Sequence, residues 1–169
     1  RKEMATRTIF NLLGPLTNPA GAKRQVMGVF AKEWVRPIAE ALKALGSSHV
    51  LVVHSADGLD EISISDKTYV AELKDGEISE YEITPEDFGL ARHPLSLVQA
   101  EDADASFEML KSALEGKGKE NAPRDIVSLN AGAAIYVSGV ADSLAEGVAI
   151  AEDVICGGLA KIKLQELAS

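Results

Sequence analysis

The sequence predicts an α/β fold: a mixed, mainly parallel central sheet with packed helices and an antiparallel meander. Three observations carry this reading. Residues 25–53 run strand, helix, strand, residues 62–83 hold short alternating runs joined by polar turns, and the stretch from Phe107 onward has helical spacing. At 169 residues and 17.9 kDa, the chain is one domain or most of one and can bury a sizeable core.

The elements follow in order. Ile9, Phe10 and Leu13 fall at helical spacing and stop at Gly14-Pro15, where proline lacks the N–H a helix needs and its ring crowds the preceding turn. Asn18, Pro19 and Gly21 then predict a shaped loop, and the alternating run Gln25–Phe30 predicts a strand. Val35, Ile38, Ala39, Leu42 and Leu45 share a helical face closed by Gly46 and Ser47-Ser48. The run His49–Val53 has the β-branched, apolar composition of a strand covered on both faces. This βαβ unit crosses right-handedly and binds ligands beyond the carboxyl ends of its strands.

Beyond the second strand lies HSADGLDEIS, residues 54–63, where three carboxylates crowd one loop. Asp57-Gly58 predicts a turn. Asp60 and Glu61 are adjacent, and a bent backbone would bring both onto one cation; a solvated acidic turn is the other reading. His54 is expected to be a hydrogen-bonding residue at the strand end, since no serine or cysteine nucleophile is evidently paired with it.

Ile62–Ser65, Thr68–Leu73 and Ile78–Ile83 predict the meander, with Asp75-Gly76 as its hairpin turn. Glu72, Glu77, Glu80 and Glu82 are expected on a solvated outer face. Thr84-Pro85 predicts a capped helical turn, and Ala91–Gln99 reads as irregular coil. Phe107, Leu110 and Leu114 mark a helix that Gly116–Asn121 ends. Pro123 opens another, in which Ala131–Ala134 permit close helix packing and Asn130 is the polar exception, either a satisfied buried side chain or a loop anchor. Ser143 and Glu146 have capping-box spacing before the final helix, which Gly157-Gly158 weakens or bends.

Composition narrows the function. The net charge of −9 disfavours nonspecific nucleic-acid binding, and no apolar run approaches the roughly 20 residues that span a bilayer. Residues 1–24 sum to +4 and the remainder to −13, so an anionic small molecule would prefer the first segment. The single Cys156 permits no internal disulfide, which fits a reducing cytoplasm, and among Val154, Ile155 and Gly157 it is expected to be a small core residue.

The string TRTIFNLLGPLTNPAG, residues 6–21, closely resembles the corresponding segment of the anthranilate phosphoribosyltransferase family of tryptophan biosynthesis, and HSADGLDEIS resembles that family's metal-binding loop. The resemblance covers essentially the whole chain. It implies an incomplete nucleoside phosphorylase/phosphoribosyltransferase-like catalytic domain, with residues 1–169 as its carboxy-terminal portion and the helical domain and glycine-rich phosphate loop lying upstream. It also implies a cytoplasmic enzyme, a homodimer at full length, whose partners are anthranilate and phosphoribosyl pyrophosphate, with no nucleic acid and no membrane. Carried over residue by residue, the Mg²⁺ ligands fall on Asp60 and Glu61, and the anthranilate-binding positions on Arg1, Gly14 and Pro15.

The implied reaction joins the amino group of anthranilate to C1′ of phosphoribosyl pyrophosphate and releases pyrophosphate. No catalytic residue is assigned. Because the chain holds no GTGGD-like string, it is expected to fold but to be inactive alone. Two other readings stand beside this one: a pyrimidine-nucleoside phosphorylase-like enzyme, and a non-catalytic metal-binding or interaction module.

Overall fold

A computed structural model of the chain describes residues 16–17, 21–115 and 121–167. These build one four-stranded sheet of order β1-β2-β3-β4. The strands are β1 (Arg24–Gly28), β2 (His49–Ser55), β3 (Thr68–Lys74) and β4 (Glu77–Ile83). β1 and β2 pair in parallel, from Arg24 opposite His49 to Gly28 opposite Val53, and helix α1 (Val35–Ala44) connects them. The predicted βαβ unit is therefore present. The helix and loop expected over residues 9–15 and 18–20 lie outside the described residues.

The pairings β2–β3 and β3–β4 are antiparallel, so the sheet is mixed, but its mainly parallel character is corrected: among the described strands one pairing of three is parallel. For β3 and β4 the reason is connection length, since a parallel return needs a long crossover whereas a hairpin needs two residues. Asp75 and Gly76, at φ +52° and +80°, make that two-residue turn. Ile62–Ser65, expected as a strand, is loop. Ile62, Ser63 and Ile64 are all buried, so burial does not alternate, and the backbones of Ile62 and Ile64 bond to the Asn130 side chain and the His93 amide rather than to a ladder.

Two apolar layers sandwich the sheet. On one face α1 sets Val35, Ile38, Ala39 and Leu42 against Val50, Val52, Ala71 and Leu73. Leu45, expected on that face, is exposed, because it caps the helix where the chain turns at Gly46, φ +80°. The other face packs Leu51, Val53 and Val70 against Leu129, Ala133, Val137 and Val148. Each such fully buried aliphatic side chain stabilises the fold by about 1.5–3 kcal/mol.

The helices of this second layer are α3 (Ala122–Ser138) and α4 (Leu144–Cys156), with α2 (Ala103–Leu114) and α5 (Leu159–Leu167) packed against them. Asn121 caps α3 by accepting from the Arg124 amide at 3.1 Å, and Ser143 caps α4 by accepting from the Glu146 amide at 3.1 Å. The small residues of α3 do permit close packing. A Cβ added at Gly132 would sit 2.5 Å from Val148 Cα, and one at Gly147 would sit 2.3 Å from the Gly132 carbonyl oxygen. Gly157-Gly158 goes further than bending: Gly158, at φ +76°, separates α4 from α5.

The helix marked by Phe107, Leu110 and Leu114 is present as α2, which leaves Phe107 and Leu110 exposed and turns Ala113, its one fully buried residue, inward. Three further expectations are corrected. Cys156 is exposed rather than in the core, because Ile155 takes the inward position in the last turn of α4. Within the coil expected over 91–99, Leu95–Val98 form a 3-10 turn. Glu72 is buried, not solvated: strand alternation places it beside Val70 on the face that α3 covers. Its carboxylate accepts from Tyr136 at 2.6 Å and Tyr81 at 2.9 Å and lies 2.9 Å from His49 Nε2. Among the described residues no helix is long and apolar enough to cross a membrane.

Candidate functional site

The loop 56–67 leaves β2 at its carboxyl end and sits beyond the carboxyl ends of both parallel strands. Side chains within the loop knit its base. Asp57 accepts from Ser63 Oγ at 2.5 Å, from Ser65 Oγ and from the Leu59 amide at 3.1 Å. Burial acts to raise the Asp57 carboxyl, but these bonds, with a smaller contribution from Ser55, outweigh it and hold the group below its ordinary range. Asp57 is thus an anchor. The turn itself closes through the Gly58 amide on the Ser55 carbonyl at 3.0 Å, with Gly58 at φ +94°.

Two contacts from outside the loop hold the stretch that bears Asp60 and Glu61. From β1, Gly28 lies so close that a Cβ there would come within 1.6 Å of the Asp60 carbonyl oxygen. From α3, Asn130 Oδ1 accepts from the Ile62 amide at 3.0 Å, while Nδ2 donates to the carbonyls of Ile62 and Ile126, each at 2.9 Å. His54, as expected, is a hydrogen-bonding residue: its Nδ1 lies 2.8 Å from the Val29 carbonyl oxygen.

The two carboxylates predicted as metal ligands therefore ride on a backbone held from both sides. Both are exposed, and among the described residues neither has a hydrogen-bond donor or a cation as partner. Partial burial, then the charges of Asp60 and Asp57, push the Glu61 carboxyl above its ordinary range. That electrostatic cost is what a hard cation relieves, so the donor set fits Mg²⁺, which takes one or two carboxylates and completes its shell with water and phosphate oxygens. No group of three or more potential ligands occurs among the described residues, so other donors would have to come from elsewhere. Glu61 also borders a cleft of about 470 Å³ whose wall includes Leu95, Val98, Met109, Ile126 and Asn130.

The family model described as "Glycosyl transferase family, a/b domain" matches residues 1–161. The chain belongs to this glycosyl transferase family. Within it, an anthranilate phosphoribosyltransferase of Marinomonas sp. (strain MWYL1) is 73% identical over 169 residues, covering 100% of this chain and 49% of that protein. The crystal structure of anthranilate phosphoribosyltransferase from Thermus thermophilus superposes with a TM-score of 0.85 at 41% identity, over 98% of this chain and 48% of that one. The Saccharomyces cerevisiae anthranilate phosphoribosyltransferase in complex with PRPP and Mg gives 0.82 at 28% identity, over 98% and 47%. The chain spans about half the length of the curated relatives it matches.

For a member of this glycosyl transferase family, the structure brings Asp60 and Glu61 to the carboxyl ends of the parallel strands, whereas Arg1, Gly14 and Pro15 lie outside the described residues. Gly28 escaped sequence reasoning. Its only signal was a glycine ending an apolar strand, and what it accommodates lies 32 residues further on. Asn130 resolves to the loop anchor of its two readings.

Proposed function

We propose that this chain contributes the metal-holding part of an anthranilate phosphoribosyltransferase, active in the full-length protein. One observation carries the reading: adjacent Asp60 and Glu61, without a hydrogen-bond or ion-pair partner among the described residues, at the carboxyl ends of parallel strands on a backbone held by Gly28 and Asn130. The names of the relatives support the same reading, as does the yeast neighbour in complex with PRPP and Mg.

The chemistry asks little covalent participation of the protein. Anthranilate's amino nitrogen attacks C1′ of phosphoribosyl pyrophosphate, the C1′–O bond breaks, and pyrophosphate departs while the nitrogen loses a proton. Negative charge grows on the leaving group. Mg²⁺, when bound, supplies positive charge there. Asp60 and Glu61 would hold that ion, and the pinned backbone keeps them from having to reorganise as charge develops. Arg1, Gly14 and Pro15 would receive the aromatic acid, an arginine matching a carboxylate with two parallel donors. In this reading the full-length protein is a cytoplasmic homodimer, and the 169-residue chain alone lacks the diphosphate cradle.

The test is a substrate panel on the full-length protein with Mg²⁺. Anthranilate should be consumed only with phosphoribosyl pyrophosphate, with pyrophosphate released. Turnover of a pyrimidine nucleoside with phosphate instead would favour the phosphorylase reading, and turnover of neither pair would leave a non-catalytic module. Robust turnover by residues 1–169 alone would overturn the view that the site is shared with sequence outside this chain.

A further inference from the structure

We propose that Asn130 is a positioning residue for the Asp60–Glu61 pair, acting from α3 through the backbone of Ile62; this rests on the metal-ligand reading above.

The geometry is specific to an asparagine. Asn130 Oδ1 accepts from the Ile62 amide at 3.0 Å, and Nδ2 donates to the Ile62 carbonyl at 2.9 Å. One primary amide thus grips both backbone groups of the residue that follows Glu61. The remaining Nδ2 hydrogen goes to the Ile126 carbonyl at 2.9 Å, one turn back on the same helix, which orients the amide plane. Aspartate or leucine, each close to asparagine in size, lacks both donors. The Ile62 side chain is buried at 2% exposure, so the amide grip and apolar packing together fix where the chain emerges as Glu61.

The helix end of this link is equally firm. Leu129, adjacent to Asn130, is 1% exposed in the core, and Gly132 lies against α4 with no room for a Cβ. α3 is therefore a fixed post rather than a floating partner. Asn130 and Glu61 also border the same cleft, so the residue that positions the carboxylate stands within the wall it serves. A loop carboxylate without such a tether samples many rotations of its own backbone, and a cation must order them on binding.

The experiment uses the full-length protein and measures the affinity of Mn²⁺ in the presence of inorganic pyrophosphate, alongside kcat and KM. Asn130→Ala should weaken Mn²⁺ binding roughly tenfold, the low end for losing a group that orients a ligand. It should also lower kcat more than it changes the KM for the aromatic substrate. Val137→Ala, a core change on the same helix, is the control: it should lower the melting temperature at least as much and leave Mn²⁺ affinity within about twofold, since Val137 shares the apolar core but its backbone carbonyl bonds to Arg24 rather than to the loop. Asn130→Asp keeps the acceptor but loses both donations, and it carries the comparison if Asn130→Ala is recovered unfolded. If neither variant folds, amide exchange of the native protein decides, because protection of the Ile62 N–H should rise when Mn²⁺ and pyrophosphate are added. Unchanged protection would overturn the proposal. Glu61→Gln separates the two readings. If Glu61→Gln abolishes Mn²⁺ binding while Asn130→Ala matches wild type, the ligand reading stands and the positioning role is wrong. If Glu61→Gln binds Mn²⁺ like wild type, the ligand reading has failed and takes the positioning role with it.

Discussion

The acidic loop beyond β2 and the carboxylate buried on β3 present the same functional group in opposite circumstances. Glu72 is 9% exposed, and its two oxygens are occupied by Tyr136, Tyr81 and His49. Asp60 and Glu61 stand exposed with no such partners among the described residues, while the backbone beneath them is held by Gly28 and Asn130. On β3 the fold holds the carboxylate itself. In the loop it holds the chain and leaves the carboxylates available. A carboxylate saturated by protein donors has little left to offer a ligand, whereas an unsaturated one close to like charges gains by meeting a cation. Lys74 extends the buried network by donating to Tyr136 Oη at 3.2 Å, so that end of the sheet reads as a structural clasp between β3 and α3.

Four experiments press on this contrast. The largest effect belongs to the loop: replacing Asp60 and Glu61 together with Asn and Gln in the full-length protein should lower kcat by roughly a hundredfold or more, as removal of a preorganised electrostatic group does. Melting temperature should barely move, because among the described residues neither side chain makes a hydrogen bond or ion pair. Unaltered turnover at saturating Mg²⁺ would erase the distinction between the two regions.

Glu72→Ala should do the reverse. Leaving His49, Tyr81 and Tyr136 without their shared acceptor should destabilise the fold by roughly 3 kcal/mol, read as a shifted urea midpoint, with little change in the Mn²⁺ affinity of what remains folded. Loss of metal affinity out of proportion to stability would mean that the two ends of the sheet communicate.

Acid sharpens the comparison further. Burial acts to raise the Glu72 carboxyl, but the bonds from Tyr136, Tyr81 and His49 prevail, so its folded value lies below the ordinary 4.5. A carboxylate depressed by folding stabilises the protein above its unfolded value and loses that contribution as pH falls through the folded one. Between about pH 6 and about pH 3, wild type should therefore lose more stability than Glu72→Gln, whose amide does not titrate in this range. Parallel losses in chemical denaturation would show that the network contributes no such linkage.

The smallest effect belongs to a third kind of carboxylate. Glu80 meets Arg36 at 2.7 Å with both side chains about half exposed. Arg36→Ala should leave the denaturation midpoint almost unmoved, because solvent screens this pair and the one Arg36 makes with Glu40, and ordering the long side chains opposes both. A larger shift in the denaturation midpoint would show that exposure is a poor guide to which carboxylates matter here.

Much of this molecule is legible in one dimension. The spacing of Val35, Ile38, Ala39 and Leu42, the Asp75-Gly76 turn and the caps at Thr84 and Ser143 each express an interaction that closes within a few residues, so sequence alone determined the βαβ unit, the hairpin and most helix starts. The acidic loop was legible too, as a crowd of carboxylates after a strand. What tertiary structure decided involves partners far apart in the chain. Glu72 looks like one more surface glutamate until Tyr136, 64 residues on, covers it. Ile62–Ser65 alternates like a strand, yet Asn130, 68 residues from Ile62, takes the backbone bonds a ladder would have used. Gly28 ends its strand unremarkably until the Asp60 backbone arrives where a side chain would have to be. Periodicity reports which face of an element is apolar, because that face is set by local geometry; which polar group meets which is set only when distant segments pack.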